Sequence, residues 1–152
     1  MKLIVSDASP LIIFGRSGLI PVLTGMVEEV IVPQTVYAEC TADIALPGAL
    51  IVRTAAEAGP LQIRADIAPH GGLCSDLAGL DAGERAAIHM ACALQCPVLM
   101  DERLGRQAAR RQGLAIVGSA GLLLAAKQRG LIPVCQRRSK NRPRGGAKVG
   151  HC

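Results

Sequence analysis

Short apolar runs alternate with helix-like segments along most of the chain. Four apolar runs have the length of buried strands and are bounded by polar residues, Gly or Pro, at residues 2–6, 30–32, 97–100 and 114–117. Apolar residues at helical spacing predict helices over 10–14, 20–26, 33–39, 81–94, 102–112 and 122–129. Apolar strands that alternate with helices are typical of a parallel sheet covered on both faces. The pattern therefore predicts a single α/β domain, a three-layer α/β/α sandwich with a central parallel sheet.

Local signals add detail at the first helix and weaken in the middle of the chain. Ser9 is predicted to cap the first helix, with Pro10 in its first turn and Gly15 interrupting it. Residues 41–79 are rich in Pro and Gly and predict only a short strand, at 50–53. This part indicates a variable or mobile region rather than a second domain.

With 152 residues, half of them apolar, the chain can form one domain with an ordinary core. It contains one Tyr, one Phe and no Trp, which argues against a single-strand binder that stacks bases on aromatic side chains. No uncharged apolar run reaches the ~18–20 residues of a membrane span. The apolar run after Lys2 is interrupted at Asp7, too early for a secretory signal. These features predict a cytoplasmic protein without a membrane anchor.

The net charge of +5 comes from the end of the chain. Of the 17 Lys and Arg residues, six lie in residues 137–152, which contain no acid, so residues 1–136 hold 11 basic and 12 acidic side chains. We therefore divide the chain into a nearly neutral domain, 1–136, and a basic tail, 137–152, predicted to be disordered. The tail is either a solvated end or a segment attracted to phosphate backbones.

Six cysteines raise the question of disulfides or zinc. A disulfide framework is not expected in a chain with this core and no secretory signal. The paired C-x-x-C spacing of a zinc site is absent, and His89, Cys92 and Cys96 come nearest to a ligand set. We expect buried thiols instead.

Acidic residues follow the predicted strands, at the edge where open parallel sheets bind their ligands. Asp7 comes after the first strand and Asp101 after the strand 97–100. Glu39 lies on the helix after the second strand, and Glu84 in the first turn of a later helix. Four carboxylates brought together repel one another unless a cation compensates them. Mg²⁺ and Mn²⁺ accept such oxygen ligands, and a cation held in this way can activate water for a phosphodiester displacement.

Each acid also has a purely structural interpretation. Capping of the following helix is the structural alternative for three of the positions: Asp7, Asp101 and Glu102. A solvated helix surface accounts for Glu39. Asp81 and Glu84 have the D-x-x-E spacing of a capping box. Only the whole set of acids, in its order along the chain, indicates a metal site.

Other phosphate-handling folds fit the sequence less well. The haloacid-dehalogenase type needs a second Asp two residues after the first, where this chain has Ser9. A receiver domain needs an acidic pair near the end of the first strand, where this chain has Asp7 alone. The G-x-x-x-x-G-K-[ST] pattern of a P-loop does not occur.

Five short segments are specific when taken together. They are VSDASPLI over residues 5–12, VPQTVYAE over 32–39, LDAGERAAI over 80–88, VLMDER over 98–103 and GSAGLLLAAK over 118–127. In this order they resemble the PIN-domain superfamily and, within it, the DUF3368 subfamily of toxin-like predicted nucleases. The resemblance covers nearly all of residues 3–133.

The resemblance implies a metal-dependent endoribonuclease that hydrolyses RNA phosphodiester bonds. Many relatives are toxins of toxin–antitoxin pairs and form dimers. The resemblance therefore also implies that this chain is such a toxin, with an antitoxin partner, and that it forms a homodimer. By position, the catalytic acids that bind Mg²⁺ or Mn²⁺ are Asp7, Glu39, Glu84 and Asp101. Many PIN domains have Asp where this chain has Glu84, and Glu102 shares or replaces the role of Asp101 because the register there is ambiguous. Ser119 matches a small hydroxyl position that orients a water or a carboxylate at the substrate site.

Arginines on the helix 102–112 are candidates for contacts with substrate phosphates, together with the tail: Arg103, Arg106, Arg110 and Arg111. A solvated helix face is the structural alternative. Relatives usually continue after about residue 133 with a helical segment, whereas this chain has a basic run, either a nucleic-acid-binding tail or a degenerate end. A second interpretation of function therefore stays open: a catalytically inactive PIN-like module that binds a partner protein or nucleic acid.

Overall fold

The computed structural model describes residues 1–69 and 77–132, and the predicted tail, 137–152, lies outside these ranges. The elements follow one another in the order β1 (Leu3–Ser6), α1 (Ala8–Arg16), α2 (Ile20–Met26), β2 (Glu29–Pro33), α3 (Gln34–Thr41), α4 (Ala49–Ala58), β3 (Leu61–Arg64), α5 (Ala82–Leu94), β4 (Val98–Leu99), α6 (Arg103–Arg111), β5 (Ile116–Val117) and α7 (Ser119–Gln128). All strand pairs of the sheet are parallel. Helices flank this sheet, so the predicted α/β/α sandwich is confirmed.

Apolar strands form the centre of the domain. Ile4, Val5, Ile31 and Val98 are fully buried, as a sheet covered on both faces requires. The single Phe of the chain, Phe14 on α1, is buried with them. Around the sheet, α5 packs on β1 and β2, while α3 packs on α5, α1 and α4. Among the described residues no helix is both long enough and apolar enough to cross a membrane.

The order of the strands places β1 in the middle of the sheet. The order is β3-β2-β1-β4-β5, so the chain runs outward from β1 to β3 and then crosses to β4 on the other side of β1. Open parallel sheets bind ligands outside the carboxyl ends of the strands where the order reverses in this way. The backbone N–H of Asp7 donates to the carbonyl of Leu99 at 2.9 Å, which holds the end of β1 against β4.

The middle of the chain contributes a helix and a strand to this domain. Residues 50–53 lie within α4, so the predicted strand there is wrong. Ala49 and Val52 are buried at helical spacing, and Gly59, with φ of +99°, ends the helix. The strand of this region is β3, which pairs with β2.

The first helix differs from its prediction at both ends. Asp7, rather than Ser9, occupies the N-cap position of α1, and the helix continues through Gly15 to Arg16. A Cβ on Gly15 would lie 3.0 Å from the carbonyl oxygen of Gly48. Gly15 therefore does not interrupt the helix but lets α1 approach the start of α4.

Candidate metal and active site

Asp7 is the more deeply buried of two buried acids in the described part of the chain, with 3% of its surface exposed. Although it holds the N-cap position of α1, its side chain makes no capping hydrogen bond, so capping does not account for it. Burial raises the pKa of the Asp7 carboxyl to about 7, the backbone N–H of Ala8 opposes this rise, and the charges of Asp81, Glu84 and Glu39 add to it. Asp7 is therefore a desolvated carboxylate surrounded by charges of its own sign.

Glu39 brings a second carboxylate from α3 to the first turn of α5. A Cβ on Gly83 would lie 2.5 Å from Oε2 of Glu39 and 2.7 Å from Oε1, so a larger residue at this position would displace the carboxylate. Burial is the largest cause that raises the pKa of Glu39, followed by the charge of Asp81, while the backbone N–H of Gly83 opposes them. Glu39 is an exposed residue overall, yet its carboxylate lies against α5 and does not stand free on a helix surface.

Asp81 and Glu84 form the capping box that their spacing predicts. The backbone N–H of Glu84 donates to Oδ1 of Asp81 at 2.8 Å, and the backbone N–H of Asp81 donates to Oε2 of Glu84 at 3.1 Å. Glu84 is 8% exposed, and burial is the main cause that raises its pKa, against the opposing N–H of Asp81. The charges of Asp81, Glu102 and Glu39 raise this pKa further. The box therefore fixes Glu84 inside the same field of negative charge as Asp7.

Asp101 is bound to the start of the last described helix. Oδ1 of Asp101 accepts the backbone N–H of Ser119 at 2.8 Å, and its Oδ2 accepts the Ser119 hydroxyl at 2.5 Å. The acid that follows β4 thus caps α7, not α6, the helix next to it in sequence. Ser119 is buried, and its two hydrogen bonds orient the Asp101 carboxylate.

Arg106 lies beside the pair formed by Asp101 and Ser119. A Cβ on Gly118 would be 2.6 Å from Nη1 of Arg106 and 3.5 Å from Oδ1 of Asp101. The guanidinium group and the carboxylate therefore both lie near Gly118 at the start of α7, without forming an ion pair in the described part of the chain. Arg106 is half-buried.

The other predicted residues of α6 are exposed. Glu102 holds the N-cap position without a capping hydrogen bond, and its charge reaches Glu84. Three arginines of the helix face solvent: Arg103, Arg110 and Arg111. In the part of the chain that the structure describes, the two ion pairs, Arg53–Glu57 and Arg64–Glu29, involve neither these arginines nor the acids around Asp7.

A further acid, which the sequence pattern did not single out, fastens the helix that carries Glu39. Oδ1 of Asp66, beyond β3, accepts the backbone N–H of Thr35 at 3.1 Å, and its other oxygen accepts the Thr35 hydroxyl. This interaction caps α3 from the neighbouring strand, as Asp101 caps α7. No local spacing connects Thr35 to Asp66, so sequence alone gives no signal for it.

The acids around Asp7 suit a hard divalent cation in their chemistry. The donors are carboxylate oxygens, the ligands that Mg²⁺ and Mn²⁺ prefer. Burial is the main cause of the raised pKa of Asp7, and the charges of Asp81, Glu84 and Glu39 raise it further. Within residues 1–69 and 77–132, however, no group of three or more His, Cys, Asp or Glu side chains is arranged closely enough to hold an ion. Binding would therefore require these carboxylates to draw together.

Comparison with protein families settles the relationship that the five segments suggested. The family model described as PIN domain, DUF3368, matches residues 3–139. The chain is a PIN domain. Members of this family are generally nucleases, and PIN nucleases typically use divalent metals. A comparison with curated proteins finds no match.

In this PIN domain the acids predicted from sequence fall into two groups. The charges of Glu39 and Glu84 reach Asp7, whereas Asp101 is absent from the charges that raise the pKa of these three acids. Asp81, which the sequence indicated only as a capping residue, belongs to the first group. The D-x-x-E spacing was the available signal, because it places two carboxylates on a single helical turn.

Proposed function

We propose that this PIN domain is a metal-dependent endoribonuclease that hydrolyses phosphodiester bonds of RNA. One observation carries the proposal: the buried carboxylate of Asp7, at the end of the central strand, lies within reach of the charges of Glu39 and Glu84. A desolvated acid among like charges lowers the stability of a fold, and a bound cation compensates this cost. Such an acid is therefore a candidate for a functional site. The carboxyl ends of the strands are also where open parallel sheets bind their ligands.

In the proposed mechanism, Asp7, Glu39 and Glu84 hold Mg²⁺ or Mn²⁺, with Asp101 as a fourth acid in a supporting position beside Ser119. When bound, the ion activates water and stabilises the negative charge that develops on the phosphate. The water oxygen adds to phosphorus in line with the bond to the 3′ oxygen, and that bond breaks. The attacking water gives up a proton to solvent, and the 3′ oxygen takes up a proton as it leaves, so the products are a 5′-phosphate and a 3′-hydroxyl.

Basic side chains of α6 bind the substrate phosphates in this proposal. Arg106 lies near Gly118, as Asp101 does, and Arg103 is exposed one turn earlier on the same helix. Residues three apart lie on one helix face, so both guanidinium groups can follow one RNA backbone. Arg110 and Arg111 extend the same charge toward the end of the helix.

The proposal includes a protein partner. Large apolar side chains are exposed on α1, on α4 and on the connection between α3 and α4: Ile13, Ile44, Leu46, Leu50 and Ile51. Such side chains support a homodimer or, for a cytoplasmic toxin, contact with an antitoxin. Light scattering on the purified chain distinguishes the dimer, at twice 15.8 kDa, from the monomer.

Cleavage of a labelled single-stranded RNA panel tests the activity. We expect cleavage with Mn²⁺ or Mg²⁺, none with EDTA, and none by a folded Asp7→Asn variant. Asp43→Asn is the matched control, because Asp43 is exposed and, within the described residues, its carboxylate accepts the local N–H of Ala45 alone. If the folded wild type binds RNA but does not cleave it at any metal concentration, the catalytically inactive module is favoured instead.

A further inference from the structure

We infer that Asp81 is a positioning residue of the proposed metal site, which acts by holding Glu84 through the reciprocal capping box. The inference rests on the proposed function, since it takes Glu84 to be a metal ligand. The positioning role depends on the hydrogen bonds of Asp81, and it is separate from the charge of Asp81, which reaches Asp7, Glu39 and Glu84.

The geometry of the box fixes Glu84 at two points. Its backbone N–H is held by Oδ1 of Asp81 at 2.8 Å, and its Oε2 is held by the N–H of Asp81 at 3.1 Å. No hydrogen bond in the described part of the chain uses Oε1 of Glu84. One oxygen of a buried carboxylate is thus anchored by the helix itself, and the other is left for a ligand.

The box also explains why glutamate suits this position. A capping box needs a side chain at the third helical residue that is long enough to reach back to the N-cap N–H, and glutamate or glutamine meets this requirement. Aspartate is one methylene shorter. In this chain the longer residue therefore ties the ligand to its helix and does not merely lengthen its reach.

The same turn carries the contact with Glu39. Gly83 lies between Asp81 and Glu84, and its backbone is close to the Glu39 carboxylate: a Cβ added to Gly83 would lie 2.5 Å from Oε2 of Glu39. Ordering of this turn by Asp81 therefore orients the surface on which Glu39 rests. Asp81 is itself exposed, as expected of a residue that supports ligands from outside.

The test compares two substitutions of Asp81 by Mn²⁺ affinity, measured through the electron paramagnetic resonance signal of free Mn²⁺. Asp81→Ser removes the charge but keeps a side chain that forms capping boxes, so we expect a dissociation constant within about threefold of wild type. Asp81→Ala removes both, so we expect weakening of about tenfold or more, the range found for outer residues that orient metal ligands. Amide hydrogen exchange at Glu84 should accelerate in Asp81→Ala and not in Asp81→Ser.

A double-mutant cycle separates positioning from general loosening of the helix. Glutamine keeps the capping box, so Glu84→Gln removes the ligand charge alone. In that background Asp81→Ala should weaken Mn²⁺ binding clearly less than it does in wild type, because Glu84 is already gone and only the effect on Glu39 remains. Equal weakening in both backgrounds would overturn the inference, as would equal weakening by Asp81→Ser and Asp81→Ala.

Failure of the proposed function gives a different result. If the folded wild type does not bind Mn²⁺, the metal site itself is refuted and the positioning role with it. If the wild type binds and Asp81→Ala binds equally well, only the role of Asp81 is refuted.

Discussion

Glu39 and Gly83 fit against each other without space for a methyl group between them, since a Cβ on Gly83 would lie 2.5 Å from Oε2 of Glu39. Gly83 lies in the first turn of α5, where alanine would be a better helix former by roughly 1 kcal/mol. The glycine therefore lowers the stability of the helix while it leaves room for a carboxylate of the candidate site.

We expect Gly83→Ala to separate stability from metal binding. The Glu39 side chain is long enough to move away from the added methyl group, so the free energy of unfolding should stay unchanged or rise by up to roughly 1 kcal/mol. Mn²⁺ affinity should fall about tenfold, because a ligand has been displaced. Gly121→Ala on α7 is the control, since a Cβ there meets nothing within 4 Å. Wild-type Mn²⁺ affinity in Gly83→Ala would contradict the placement of Glu39 in the site.

The burial of Asp7 makes the metal-free domain less stable as pH rises. The carboxyl has a pKa of about 7 in the folded chain and of about 3.9 when exposed. Folding therefore favours the protonated form of Asp7. The stability of the folded chain with Asp7 protonated is fully present below about pH 4 and is lost as pH rises to about 7. Linkage puts this loss on the order of 4 kcal/mol.

Denaturant unfolding in EDTA at several pH values measures this effect. The free energy of unfolding of wild type should decline between pH 4 and pH 8 more steeply than that of Asp7→Asn, which carries no titrating group at this position. At pH 8, added Mn²⁺ should raise the free energy of unfolding of wild type but not that of Asp7→Asn. Parallel pH profiles for the two proteins would contradict the burial of an ionisable Asp7.

Asp101 and Ser119 should affect stability more than metal affinity. Both oxygens of Asp101 already accept hydrogen bonds from Ser119, and asparagine can retain the bond to the backbone N–H. We expect Asp101→Asn to weaken Mn²⁺ binding less than Asp7→Asn does. Ser119→Ala should lower the free energy of unfolding by about 1–3 kcal/mol through loss of the hydroxyl bond to a charged acceptor. Complete loss of Mn²⁺ binding in Asp101→Asn would instead make Asp101 a direct ligand.

The arginines of α6 should determine how RNA binding depends on salt. Replacing both Arg103 and Arg106 by Gln should lower the slope of log affinity against log salt by about 0.7 for each lost phosphate contact. Fluorescence anisotropy with labelled RNA in EDTA measures this slope without cleavage. Arg53→Gln, on α4, removes one positive charge from a residue paired with Glu57 and should leave the slope unchanged. Equal slopes in all three proteins would remove α6 from the RNA-binding surface.

Much of the fold follows from the sequence because most elements have one clear period. The strands 30–32 and 97–100 and the helix 81–94 were predicted close to their observed positions. The error at 50–53 arose because an apolar run as short as the three residues before Arg53 fits a strand and a buried helix face equally well. The helix became evident only with its full length, from Ala49 to Ala58.

The candidate site was predictable to the extent that its interactions are local. The capping box of Asp81 and Glu84 follows from a spacing of three residues. By contrast, the fit of Glu39 against Gly83 depends on how α3 packs on α5, which no single segment encodes. Asp101 likewise joins Ser119, 18 residues later, rather than the helix that begins beside it.

The central place of β1 also affects when the site can form during synthesis. Asp7 and Glu39 belong to the first part of the chain, whose strands pair as β1, β2 and β3, whereas Glu84 arrives with α5 just before β4 pairs with the free side of β1. A nascent chain on the ribosome therefore carries two acids of the proposed site for some time without the third. If the proposed ribonuclease activity holds, the enzyme is made beside its own messenger and ribosomal RNA, and this order of emergence would delay cutting until most of the domain has left the exit tunnel.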